Sequence, residues 1–171
     1  MCSKGFEPES LKTIDEVIEE ELPGIKYGIL SGPSHAEEVS IGVPTALVIA
    51  SKDEEVKEKV MNTFSSKTLR IYSSSDVKGV ELGGALKNII AIKVGELLGM
   101  SNKDVKDFKD ISFENYSNTI SAYIVQGLAE IKTIGDAMGA KERTFDGYSG
   151  LGDLLTTTLS VDSRNLKCGI S

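Results

Sequence analysis

Histidine and cysteine are nearly missing from this chain. His35 is the only histidine, and the two cysteines, Cys2 and Cys168, stand at opposite ends without the spacing of metal ligands. No metal site is therefore expected. A Ser/His/Asp triad would depend on His35, which has no nucleophile-elbow motif around it. Two widely separated thiols point to a reducing, cytoplasmic setting. Positive charge is also short: 19 Lys and Arg against 26 Asp and Glu give a net charge of -7. That balance argues against nucleic acid or an anionic membrane surface as a partner, and no basic run overrides it. No apolar run is long enough to span a bilayer, and none reads as a signal peptide. Finally, no G-x-G-x-x-G follows a strand, so the βαβ unit that cradles a dinucleotide pyrophosphate is not in this sequence.

What is there is an ordinary globular composition: 40% hydrophobic and 26% charged over 171 residues, enough to bury a core. The first clear element is a helix over 9–21 with Leu11, Ile14, Val17 and Ile18 on its apolar face, ended by Leu22-Pro23-Gly24. Short apolar runs at 27–30, 45–50 and 68–73 read as strands. Between them, Ser31-Gly32-Pro33-Ser34 is a turn whose serine can cap a helix over 35–41, and 53–64 is an amphipathic helix. Strands alternating with helices predict an open α/β sheet. Beyond Asp76 the strand pattern stops, which places a boundary near Ser74-Ser75. The fold expected is a partial Rossmann-like α/β sheet over 1–75, followed by an all-α helical domain over 76–171. In the second part, helices are expected from Asp76 to about Leu98 and over 118–138, the latter with Ile120, Ile124, Leu128, Ile131 and Ile134 inward. Between them, Met100 to Tyr116 is mixed in charge and irregular, with near alternation from Lys103 to Asp110, and reads as a solvated excursion.

One lysine is out of place. At roughly 100° per residue, Lys78, Glu81, Lys93 and Glu96 share one side of the long helix. Lys87 instead aligns with Val80, Gly84, Ala91, Val94 and Leu98, the face that should be buried. Gly79, Gly83 and Gly84 before it each cost a helix about 1 kcal/mol relative to alanine, so something must approach that backbone closely. Two readings are open: Lys87 snorkels to a domain edge, or it is a general acid or base in a cleft, tuned by burial. Elsewhere, Gly32-Pro33-Ser34 is either a capped turn or an anion rest at a helix start. Asp153 follows two glycines, and Ser163-Arg164-Asn165 places a guanidinium, suited to phosphate or carboxylate, beside an amide and a hydroxyl.

The segments SKG, LSGPSHAEE, VPTA, DVKGVELGGALKN, QGLAEI, GLGDLLTT and SRN occur in this order. In wording and order they resemble the bacterial NAD(P)-dependent glycerol-3-phosphate dehydrogenases. The resemblance implies NAD or NADP as cofactor and a small-molecule substrate. The reaction would be the interconversion of sn-glycerol 3-phosphate and dihydroxyacetone phosphate, a step toward glycerophospholipid precursors. It implies that Lys87 is the proton donor and acceptor, and that Lys4 touches substrate and cofactor. It assigns substrate contacts to Gly32, Ser34, Asp153, Ser163, Arg164 and Asn165, with Asn88 and Thr157 lining the same pocket. Ala36 and Arg164 would meet the cofactor. A homodimer is a further expectation. Dehydrogenases of the 3-hydroxyacid group share the architecture but not GPS, GLGDL and SRN together.

The chain also departs from the pattern. The cofactor loop is absent, and Ser171 falls short of the family's C-terminal helices, so the resemblance expects a fragment with an exposed sheet edge. Residues 98–117 replace a short glycine-rich connection, Gln126 stands where an arginine is expected, and His35 replaces a residue that is usually aromatic. The expected function is glycerol-3-phosphate dehydrogenase; the alternative is a truncated, non-catalytic chain that folds and self-associates without turnover.

Overall fold

Thr45–Ala50 forms a strand, β2, because its apolar and β-branched residues are enclosed on both faces, with Leu47 to Ala50 buried. The computed structural model describes residues 1–102, 110–113 and 116–171. Within it β2 is the centre of a three-stranded sheet. β1 (Ile29–Ser31) pairs with it antiparallel, Ile29 opposite Ala50, and β3 (Leu69–Ser74) pairs parallel, Thr45 opposite Leu69. On one face lies helix α3 (Glu54–Phe64), capped by Asp53, whose carboxylate accepts from the N–H groups of Glu55 and Val56. Val60 and Met61 of α3 pack on Leu47, Ile49 and Ile71. The other face is covered by Val77 and Val80, which meet Ile29, Val48 and Ala50.

Those two valines begin α4 (Val77–Ser101), the helix against which the second half of the molecule is assembled. Asp76 caps it, accepting from the Gly79 N–H at 3.0 Å. The second oxygen of Asp76 accepts from the Lys141 N–H and the Thr144 hydroxyl, and so ties a 3-10 turn, Glu142–Asp146, to the start of α4. Helix α5 (Ser117–Ala137) packs through Ile120, Ile124 and Ile131. Ile134, expected beside them, is 43% exposed, because Gly135 takes the inward position and lets the Phe145 ring fill it. After a π-helical turn (Tyr148–Gly152) come α6 (Asp153–Thr158) and α7 (Arg164–Ile170). Helix α7 touches α4 backbone to backbone: a Cβ on Gly95 would stand 2.2 Å from the Leu166 carbonyl oxygen.

Three expectations change. The first helix, α1, runs Ile14–Glu21 and not from residue 9. Leu11 lies outside it, 71% exposed with φ +57°, because the chain turns there and the Thr13 N–H is taken by the Glu16 carboxylate. Helix α2 is Ala36–Ser40, and Ser34 does not cap it; its hydroxyl donates to the Gly32 carbonyl at 3.2 Å. Glu81, assigned above to a charged stripe, is 2% exposed. Helix α1 lies over it, and one Glu81 oxygen accepts from the N–H groups of Ile14 and Asp15 at 2.8 and 3.2 Å. The alternating charges from Lys103 to Lys109 lie outside the described residues; Asp110 is exposed.

Candidate functional site

The inward phase of Lys87 holds: it is 6% exposed, on the face of α4 turned toward α6. The glycines before it are where neighbours come close. A Cβ on Gly83 would stand 2.5 Å from the Ser149 carbonyl oxygen, and one on Gly84 would stand 3.0 Å from Ser31 Oγ with the Lys4 stem just beyond. So the turn leading into α6 and the N-terminal segment both rest on the same stretch of α4. The first delivers Asp153 and Thr157 to Lys87, and the second brings Lys4 to the same carboxylate.

Helix α6 delivers Asp153 and Thr157, one turn apart and therefore on one side of the helix. Lys87 Nζ donates to Asp153 Oδ1 and, at 2.5 Å, to Thr157 Oγ1. The Thr157 hydroxyl in turn donates a hydrogen bond to the Asp153 carbonyl at 2.7 Å. Lys4 Nζ reaches the second oxygen of Asp153 at 2.6 Å. Two ammonium groups thus share one buried carboxylate. Burial pushes the Lys87 ammonium down to about 8; Asp153 opposes that shift, and the nearby charge of Lys4 adds to it.

A polar cavity of about 490 Å³ opens in front of this cluster. Lys4, Lys87, Asn88, Thr157, Ser163, Arg164 and Asn165 line it, with Asp153 behind the two lysines. Ser163 caps α7 by accepting from the Leu166 N–H at 3.3 Å, which sets Arg164 and Asn165 in the first turn. Asn165 donates to Asn88 Oδ1 at 2.7 Å, fixing the amide of the Lys-Asn pair. Gly32, Ser34 and Ala36 are not among the lining residues. Gly32 is buried with φ +139° and its Cβ position only 3.1 Å from the Ala46 carbonyl, so only glycine suits it. Ser34 and Ala36 are exposed.

Cys2, His35, Glu37 and Asp162 also line the cavity and were not picked from the sequence as site residues. His35 and Glu37 flank the GPS turn, and Asp162 precedes SRN, so proximity to a motif was the only signal available. The cationic lining of Lys4 and Arg164 suits an anionic ligand such as a phosphate ester or the phosphates of a dinucleotide.

A second charged cluster is buried on α4. Besides the two N–H contacts already given, the other oxygen of Glu81 has no hydrogen-bond partner among the described residues. Burial, and then the Asp15 carboxylate beside it, push Glu81 up to about 8. Lys78 Nζ sits 2.9 Å from Asp15 and 3.0 Å from Glu16.

Comparison with known proteins gives one consistent answer. Residues 76–171 match the family model for the NAD-dependent glycerol-3-phosphate dehydrogenase C-terminus, and residues 1–57 that for its N-terminus. A glycerol-3-phosphate dehydrogenase [NAD(P)+] of Clostridium perfringens is 45% identical over 168 residues, covering 98% of this chain and 47% of that protein. One from Fusobacterium nucleatum is 42% identical over 170 residues, with the same shares covered. The crystal structure of the Coxiella burnetii glycerol-3-phosphate dehydrogenase superposes with a TM-score of 0.87 at 32% identity, over 99% of this chain and 48% of that one. The chain spans about half the length of the curated relatives it matches. It carries their fold in both parts, sheet and helices, and belongs to the NAD-dependent glycerol-3-phosphate dehydrogenase family.

Proposed function

We propose that the cavity binds glycerol 3-phosphate and dihydroxyacetone phosphate and that Lys87 moves the proton in their interconversion. The observation that carries this is the cluster of Lys87, Asp153 and Lys4 at the cavity wall. A lysine brought down to about 8 holds and releases a proton near neutral pH, as a general acid or base must. In the reducing direction Lys87 Nζ gives a proton to the oxygen on C2 of dihydroxyacetone phosphate; in the oxidising direction it takes the proton back. Asp153 and Thr157 fix the ammonium group in place. Ser163, Arg164 and Asn165 hold the phosphate, so that contacts remote from C2 orient the reacting carbon. Asn88, tied to Asn165, lines the wall beside them. Gly32 and Ser34 shape the substrate side through the turn before α2.

NAD or NADP would be met by Lys4, Ala36 and Arg164, and supplies or receives the hydride at C2 when bound. In this reading residues 1–75 are the end of a cofactor-binding domain and 76–171 a substrate domain. The setting is cytoplasmic. Among the described residues no helix is long and apolar enough to cross a membrane. A net charge of -7 disfavours nucleic acid. A homodimer is supported by the apolar groove between α4 and α5, where Ile89 and Tyr123 are 63% and 37% exposed.

The test is a titration of the folded chain with glycerol 3-phosphate, followed by NMR. Saturable shifts at Asn88, Thr157 and Arg164, not produced by glycerol, are expected; their absence from a folded chain overturns the substrate assignment. Catalysis is tested by NADH or NADPH oxidation with dihydroxyacetone phosphate. Lys87→Met is expected to cut it by roughly 10²- to 10⁴-fold while the phosphate ester still binds.

A further inference from the structure

Carbonyl groups in the last turn of a helix have no partner within it. The Thr156 carbonyl, in the last turn of α6, has one from far away: His35 Nε2 lies 3.2 Å from it, across 121 positions of sequence. A carbonyl only accepts, so Nε2 carries the hydrogen, whether the ring is the neutral Nε2–H tautomer or the imidazolium. His35 stands at the N-cap of α2, directly after the Gly32–Ser34 turn, and its ring lines the cavity. Helix α6 is therefore held from the N-terminal half at two points, by Lys4 at Asp153 and by His35 at Thr156. The residue after Thr156 is Thr157, whose hydroxyl receives the Lys87 ammonium.

We infer that His35 is a positioning residue of the cavity, acting through the Thr156 carbonyl to hold the Thr157 hydroxyl against Lys87 and to seat the Gly32–Ser34 turn at the rim. The inference rests on the proposed substrate assignment only for its effect on ligand affinity; its effect on Lys87 stands apart from it. Without the His35 bond the last turn of α6 relaxes, and the Lys87 ammonium keeps Asp153 but loses the second of its two acceptors, the Thr157 hydroxyl.

Two variants of the full chain separate the hydrogen bond from the ring. His35→Phe keeps the ring volume and removes the donor; His35→Gln keeps an amide donor at a similar reach. The titration midpoint of Lys87, followed by NMR at its Cε, and the dissociation constant for glycerol 3-phosphate are measured for each. The Phe variant is expected to lower the midpoint by roughly half a unit and to weaken binding about tenfold. The Gln variant should return both to within about twofold of the parent. A Phe variant with an unchanged Lys87 midpoint overturns the inference, as does a Gln variant indistinguishable from Phe. If the Phe variant fails to fold, His35→Asn, polar but one methylene shorter, is the non-bonding partner of the comparison. A parent chain that binds no glycerol 3-phosphate tells against the substrate assignment, and the Lys87 midpoint then decides the role of His35 alone.

Discussion

Helix α4 buries two charged clusters less than two turns apart, and they are unbalanced in opposite senses. At Lys87, two ammonium groups share the carboxylate of Asp153. At Glu81, two buried carboxylates, Glu81 and Asp15, lie together with one lysine, Lys78, which bonds Asp15 and also the more exposed Glu16. The first opens on a polar cavity, so its surplus positive charge is available to an anionic ligand. The second is roofed by α1, so no ligand can reach it and its surplus negative charge is relieved by holding a proton. The same net-acidic chain therefore builds an anion-attracting wall and a proton-holding buried pair on one helix, and what separates them is the element packed on top.

The contrast breaks most sharply at Asp153. Asp153→Asn leaves Lys4 and Lys87 facing one another without a carboxylate, and removal of one partner from a buried ion pair costs roughly 3–5 kcal/mol. Urea denaturation should show a loss of that size; a loss below about 1 kcal/mol would mean the cluster holds little of the fold together. A second prediction concerns the proton on Lys87. On the proposed mechanism the reduction of dihydroxyacetone phosphate would draw on the ammonium form, so its rate should fall as pH rises through about 8, by about tenfold per unit once the group is neutral. A profile flat across that range removes Lys87 from proton transfer.

The smallest effect belongs to Glu81. Its folded-state pKa is raised above the ordinary 4.5, so the folded protein binds the proton more tightly than the unfolded chain does. The stability this contributes is complete below about 4.5 and is lost as pH rises through about 8. Glu81→Gln, which cannot ionise, should flatten that decline and exceed the parent by on the order of 1–2 kcal/mol on its alkaline side. Parallel stability curves for the two proteins would mean that Glu81 is charged under α1 at neutral pH.

The two clusters also differ in how far they could be read beforehand. Lys87 was legible because helical phase alone carries it to the apolar face, and the glycines beside it announced close neighbours, which proved to be Ser149, Ser31 and Lys4. Glu81 was not, because phase gives a side of the helix and says nothing of α1, which arrives from more than sixty positions earlier to cover it. The strands β2 and β3 and the place where α4 begins followed from local composition. The start of α1 and the free N-terminus of α2 did not, since Glu81 and the Gly32 carbonyl competed for groups that local rules assign to the helices. His35 had no periodicity to betray it; its partner is a main-chain carbonyl, which leaves no trace in sequence.

The contact between Lys4 and Asp153 joins positions 149 apart. Closing so long a loop is slow, because the chain entropy it consumes is regained only when the last contacts form. During synthesis at about 5–20 residues per second, Lys4 waits on the order of ten seconds before its carboxylate leaves the ribosome. The sheet and the first turns of α4 can be complete well before then, which makes the cavity wall the last part of the chain to close.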